Sequence, residues 1–289
     1  MRDKLKFLRL FPSLADVAVM LLLFFVAQFV AVLLMRLCGV VVPAPLPYDT
    51  TDIEVYMQCE VARGEALAIL YPVTMLFSLA VVWGYVWLRG GRGLQIRHSA
   101  AGFNPNTILL GVLWVLSAQI VLEPLTLLLP ASENAGVGRG FWACVTAVVV
   151  APVLEELLCR GVVLESLHRR YGAVIAVLLS ALFFGLIHGE PATIVVGVVA
   201  GVIFGVMYLR TLSLFSTIII HSINNAIALM FIYIGAGDAT FSDVLGGGST
   251  YYIVYGVSAL LFVAITIDSC SRLIVRYKRS KAEQNEEQQ

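Results

Sequence analysis

The chain has 289 residues, 60% hydrophobic and 13% charged, whereas soluble domains carry about 25% charged residues. Its 19 Lys and Arg balance 19 Asp and Glu, so net charge offers nothing to a nucleic acid or an acidic partner. The five cysteines, Cys38, Cys59, Cys144, Cys159 and Cys270, include no Cys-x-x-Cys pair, which excludes the usual zinc cluster and disulfide frameworks. The expected class is all-α, a polytopic membrane helix bundle.

Crossing a bilayer takes about 20 mostly apolar residues. Eight segments approach that length: Ala15 to Met35, Leu67 to Leu88, Thr107 to Leu129, Phe141 to Leu158 with an extension, Ala173 to Ile187, Thr193 to Tyr208, Phe215 to Ile234 and Tyr251 to Ile267. The basic start, Met1 to Lys6, resembles a signal peptide. The apolar run from Val17 to Met35 is nevertheless long for a signal core and lacks a small-x-small cleavage site, so a retained helix is expected. Between the first two spans lies an acidic loop, about Val42 to Glu65. Residues 1–280 read as a single bundle, and the polar tail 281–289 as disordered.

Orientation follows from the basic residues in the loops. With the N-terminus inside, 16 Lys and Arg fall on its side and only Arg36, Arg63 and Arg139 on the other. Both termini are therefore expected in the cytoplasm. In the sixth span Gly197, Gly201 and Gly205 recur every fourth residue, a flat strip against which a neighbouring helix can pack closely.

The fourth span carries Glu155, Glu156 and Arg160. A charge at membrane depth costs about 2.5 to 3.5 kcal/mol on insertion scales and marks a functional position by default. Glu156 and Arg160, four apart with the acid first, suit an ion pair. Glu155 is then left to act as general base toward a water. If the chain reverses near Arg170-Tyr171-Gly172, Glu155 and His188 stand at equal distances from the turn and are expected to meet. Phe184 shares a helix face with His188, and His221 shares one with Asn225. Glu155 and His221 come to similar depths, about 14 and 12 Å at the helical rise. His188 would orient the water, and His221 with Asn225 would hold the oxyanion.

Glu-Glu-x-x-x-Arg, Phe-x-x-x-His and His-x-x-x-Asn occur in that order at Glu155 to Arg160, Phe184 to His188 and His221 to Asn225. In this the chain resembles the CPBP intramembrane proteases, which include the CAAX prenyl endopeptidases and the Abi or bacteriocin-processing homologues. The resemblance covers about residues 141–233 and leaves the first three spans without a motif. It implies an endopeptidase in the plasma or inner membrane, with a site opening toward the cytoplasm and a glutamate-activated water acting on a membrane-associated peptide or protein. It favours no cofactor. Zinc held by Glu155, His188 and His221 stays an open alternative, although His-Glu-x-x-His is absent.

Other readings compete. Gly235-Ala236-Gly237-Asp238 spells the Gly-x-Gly-Asp of aspartyl intramembrane proteases but lacks a second membrane aspartate, and it reads as a turn. Glu123-Pro124, an acid beside a helix break, keeps a proton- or ion-coupled transporter in view. A non-catalytic immunity or scaffold protein of the same fold is the remaining alternative.

Overall fold

The computed structural model describes residues 11–44, 46, 52–91, 94–97, 99, 103–130, 138–235 and 239–286, with the backbone alone over 276–286. Among these the chain is helical, in the order α1 (Leu14–Leu37), α2 (Ile53–Leu88), α3 (Pro105–Thr126), a composite rod α4, α5 (Glu165–Leu186), α6 (Pro191–Thr211), α7 (Leu214–Tyr233), the short α8 (Phe241–Val244) and α9 (Gly248–Glu286). The rod α4 joins Phe141–Val145, Thr146–Val150, Ala151–Glu156 and Leu157–Leu164. Six helices, α1, α2, α3, α6, α7 and α9 up to Val275, are long and apolar enough to cross a membrane. The protein is a multi-pass membrane protein.

Two boundaries differ from expectation. The second helix starts at Ile53 and absorbs much of the acidic loop, because Asp52 caps it, its carboxylate accepting from Glu54 N at 3.0 Å and Val55 N at 3.2 Å. Good helix formers, Met57, Gln58, Glu60, Ala62 and Ala66, carry the turn onward. Likewise α9 stays helical to Glu286, where a disordered tail is expected from Lys281; no Gly or Pro interrupts Lys281 to Glu286. The remaining three tail residues, the basic residues before position 11, Arg92, Asp49 and the Ala236, Gly237 and Asp238 of the Gly-x-Gly-Asp stretch lie outside the described residues.

The reversal near Gly172 is present. That glycine, inside α5, has φ 75°, ψ −177°, a conformation that costs residues with a Cβ far more, and it turns the chain so that the part of α5 after it, residues 173–186, runs back along α4. Ser180 Oγ then donates to Cys159 O at 2.8 Å. The glycine strip packs as expected, with α6 lying directly on α5. A Cβ at Gly201 would stand 2.8 Å from Ala181 Cα, and one at Gly197 3.0 Å from Gly185 Cα.

The two ends of the bundle are chemically distinct. At one end the start of α1 meets the end of α2 through Arg89 Nε and Asp16 at 2.9 Å. Arg97 lies 2.6 Å from Glu165, which also accepts from Tyr208 Oη at 2.8 Å. Arg170 donates to Pro12 O at 2.9 Å, and Arg210 to Ser269 Oγ at 3.1 Å. This end gathers Arg89, Arg97, Arg169, Arg170, Arg210 and Arg272. At the opposite end Arg139 N donates to Glu60 O at 2.9 Å, Gly140 N to Tyr233 Oη at 2.8 Å, and Phe241 N to the Glu123 carboxylate. Glu123 is thus buried beside Pro124 with a partner 118 positions away, and α3 runs past Pro124 to Thr126 without the expected break.

Candidate active site

The backbone of α4 departs from α-helical geometry on both sides of the two glutamates. Thr146–Val150 and Leu157–Leu164 are π-helical and flank the α-helical Ala151–Glu156. Such bulges re-aim side chains and occur often at functional sites. Here they accompany two adjacent carboxylates that are both turned inward, Glu155 at 8% and Glu156 at 0% exposure.

Glu156 is locked. Arg160 Nη1 donates to its Oε1 at 2.8 Å, both side chains being wholly buried, and Arg160 Nη2 donates to Gly201 O at 3.0 Å. The guanidinium lies between two rings, 4.7 Å from the Phe184 centroid and 5.2 Å from that of Phe204. A desolvated cation on aromatic faces gains about 2 kcal/mol. The close approach at Gly201 is what brings that carbonyl within reach. Arg160, expected at the inner surface, instead stands within the bundle.

His221 joins the glutamates. Its Nδ1 is 3.3 Å from Glu156 Oε1 and its Nε2 3.6 Å from Glu155 Oε2. The ring stacks on Phe204 at 4.9 Å and 27°. A carboxylate accepts, so Nδ1 carries the proton, and Nε2 is the nitrogen left for chemistry. Glu155 Oε1 accepts a short hydrogen bond from Tyr71 Oη of α2. Arg160, Glu156, His221, Glu155 and Tyr71 thus form one polar chain across three helices.

His188 does not meet Glu155 among the described residues. It lies just beyond the end of α5, and its Nδ1 donates to Phe184 O at 2.7 Å, which leaves Nε2 as the free nitrogen. The Phe184 ring stands edge-on to both histidines, 4.9 Å from His188 and 5.6 Å from His221. The equal-depth argument fails because it assumes α-helical rise throughout, whereas α4 contains π turns and α5 ends before His188. Asn225 donates to Ala147 O at 2.9 Å in the first π segment, so one of its two N–H groups is committed to the backbone. The sequence reading missed Tyr71. It also missed Gln119, which donates to Asn224 Oδ1 at 2.6 Å. The available signal was a hydroxyl and an amide inside apolar spans, groups that need a partner there.

A cavity of about 350 Å³ joins these groups, with Phe184, Phe204 and His221 at its floor and His188, Thr193 and Thr126 toward its rim. The floor side chains are at most 4% exposed, while His188 and Thr193 are exposed. Glu155 is not in the lining; it sits behind His221. The rim lies at the end of the bundle away from Arg89, Arg97 and Arg210. The cavity therefore opens opposite the described chain ends, and not toward the side of the termini as the resemblance implies. The zinc alternative does not fit this geometry. Glu155 and His221 approach one another, but His188 is held on the far side of Phe184, and the described residues contain no convergent set of three ligands.

Residues 138–227 match the family model described as type II CAAX prenyl endopeptidase Rce1-like. Over this segment the chain is similar to that family, in line with the CPBP resemblance of its motifs. The match carries all three motif pairs. An 86-residue stretch is 24% identical to the "Putative membrane peptidase YdiL" of Bacillus subtilis (strain 168), covering 30% of this chain and 35% of that protein. The chain thus aligns with about a third of that curated relative. No solved structure matches. The matched segment runs from the start of α4 into the middle of α7, so Tyr71 and Gln119 are contributed from outside it.

Proposed function

We propose that this chain is an intramembrane endopeptidase of the cell membrane that hydrolyses a peptide bond of a membrane-associated protein or peptide with a water activated by Glu155. The observation that carries the reading is the Tyr71–Glu155–His221–Glu156–Arg160 chain, whose His221 lines the floor of a cavity that His188 also lines. A structural ion pair would need Glu156 and Arg160 alone. A second carboxylate, an aromatic hydroxyl and two cavity-facing imidazoles exceed that need.

The Glu155 Oε2 and His221 Nε2 atoms, 3.6 Å apart, are too distant for a good direct bond but both within reach of one water. Glu155 takes a proton from that water as its oxygen adds to the peptide carbonyl, and returns it to the departing amine. Tyr71 holds the other carboxylate oxygen, so the basic atom faces the water. Glu156 fixes His221 by its Nδ1. His188 Nε2, which faces the same cavity, accepts from an N–H of the incoming peptide, and the second N–H of Asn225 is left to donate to the oxyanion. No step runs through a metal.

Comparative peptidomics of cells carrying wild type and Glu155→Ala identifies the substrate and tests the base. Cleavage products should vanish in Glu155→Ala and in His221→Ala while the protein stays in the membrane at normal abundance. Cleavage retained in Glu155→Ala sinks the mechanism. Loss of cleavage on adding phenanthroline, restored by zinc, would overturn the metal-free course.

A further inference from the structure

The side from which the cavity is reached can be argued from this chain's own charges. The rim is built from the end of α3 at Thr126, the α5–α6 turn at His188 and the first turn of α6 at Thr193. Each of these is the end of its helix farthest from the arginine-rich end. From rim to floor the burial rises steadily, ending at Phe204 and His221 near the middle of α6 and α7. Nothing from Arg89, Arg97, Arg170 or Arg210 contributes to the lining. Those arginines are packed against Asp16, Glu165, Pro12 O and Ser269 at the opposite end, where a separate cavity of about 330 Å³ is lined by Arg97, Val153 and Leu157 but by neither histidine nor Asn225.

Lys and Arg favour the cytoplasmic side, and acidic residues contribute little to orientation. Arg89, Arg97, Arg169, Arg170, Arg210 and Arg272 stand at the end away from the histidine-lined cavity, against Arg36, Arg63 and Arg139 at the end where that cavity opens. The open end also carries Asp52, Glu54, Glu60, Glu65, Glu190 and Asp243. The geometry points to a site served from the extracytoplasmic face. Its substrate is then a peptide segment presented on that face or within the outer leaflet, not a cytoplasmic tail. The lining adds to this class: Gln119, Thr126, Thr193, Asn224 and Asn225 are polar and uncharged, and among the described residues no Lys, Arg, Asp or Glu lines the cavity. An uncharged stretch hydrogen-bonded through its backbone fits such walls, whereas a charged one would lack a counter-ion. The peptide nature of the substrate rests on the endopeptidase reading; the direction of access does not.

Cysteine accessibility tests the direction without a substrate. In a chain with Cys38, Cys59, Cys144 and Cys270 changed to Ser, single Thr193→Cys, Val196→Cys and Arg272→Cys variants are exposed to a small membrane-impermeant methanethiosulfonate. Labelling is scored in right-side-out spheroplasts and again after lysis. Cys159, which is fully buried, serves as the unreactive background. Thr193→Cys and Val196→Cys should label in intact spheroplasts, and Arg272→Cys only after lysis. The reverse pattern overturns the assignment, and so does Val196→Cys staying unlabelled while Thr193→Cys reacts, because the cavity would then be shut at that end. Adding Glu155→Ala should leave all three patterns unchanged, so a protein that cleaves nothing can still pass or fail this test.

Discussion

Two ion pairs of this chain share order, spacing and length, yet they stand in different media. Glu156–Arg160 and Asp268–Arg272 are both acid-first pairs four residues apart on a helix, and both close to 2.8 Å. The first is 0% exposed on both sides, the second 39% and 64%. Around Arg160 stand two aromatic faces and a backbone carbonyl; around Arg272 stands solvent, with Arg210 also 3.5 Å from Asp268. Sequence spacing gives the two pairs equal standing. Burial decides that one anchors the site and the other decorates a rim.

The sharpest way to break that contrast is Arg160→Met. It leaves the buried Glu156 without its cation and with His221 Nδ1 as its partner, a loss of about 3 to 5 kcal/mol. We expect little monodisperse protein and a sharply lowered Tm in detergent. Because a variant that fails to fold says little by itself, the partner test is Arg160→Met with Glu156→Gln, which removes the stranded charge and should recover part of the Tm. No recovery would mean that the guanidinium acts through the Phe184 and Phe204 faces and Gly201 O, not through Glu156.

Between the two extremes lies Tyr71→Phe. It removes one hydrogen bond to a carboxylate, a contribution of about 1.5 to 3 kcal/mol where the acceptor is charged, and keeps the ring. The expected result is a fall in kcat on the order of 10- to 100-fold, little change in KM and a Tm lowered far less than in Arg160→Met. Isotope-edited infrared spectra should show the carboxylate stretch assigned to Glu155, by its loss in Glu155→Gln, moving in the Tyr71→Phe protein. An unmoved band would remove Tyr71 from the positioning of the base.

Much of this was legible in the sequence, and for physical reasons. Apolar runs mark the spans because the bilayer demands them, and Gly172 marks the reversal because its φ of 75° suits glycine. Glu156 and Arg160 pair as their spacing says. What the sequence hid depends on geometry that periodicity does not encode. The π turns of α4 changed the depth of Glu155, so its partners became His221 and Tyr71 where His188 was expected. Tyr71 is invisible to a motif search because it lies on α2, 84 positions from the group it serves. The direction of the cavity likewise required the rim and the arginines to be seen together.

Arg272→Ala marks the small end of the scale. Exposed pairs four apart on a helix contribute about 0.3 to 0.5 kcal/mol, and less as salt rises. Asp268 would still have Arg210 nearby and water all around, so no charge is stranded. Tm measured at low and high salt should differ from wild type by no more than that amount, and the difference should shrink at high salt. A cost approaching that of Arg160→Met would mean that burial is not what separates the two pairs. The Arg160 cluster would then lose its claim to be special, and the reading of Glu155 as a positioned base would have to stand on Tyr71 and His221 alone.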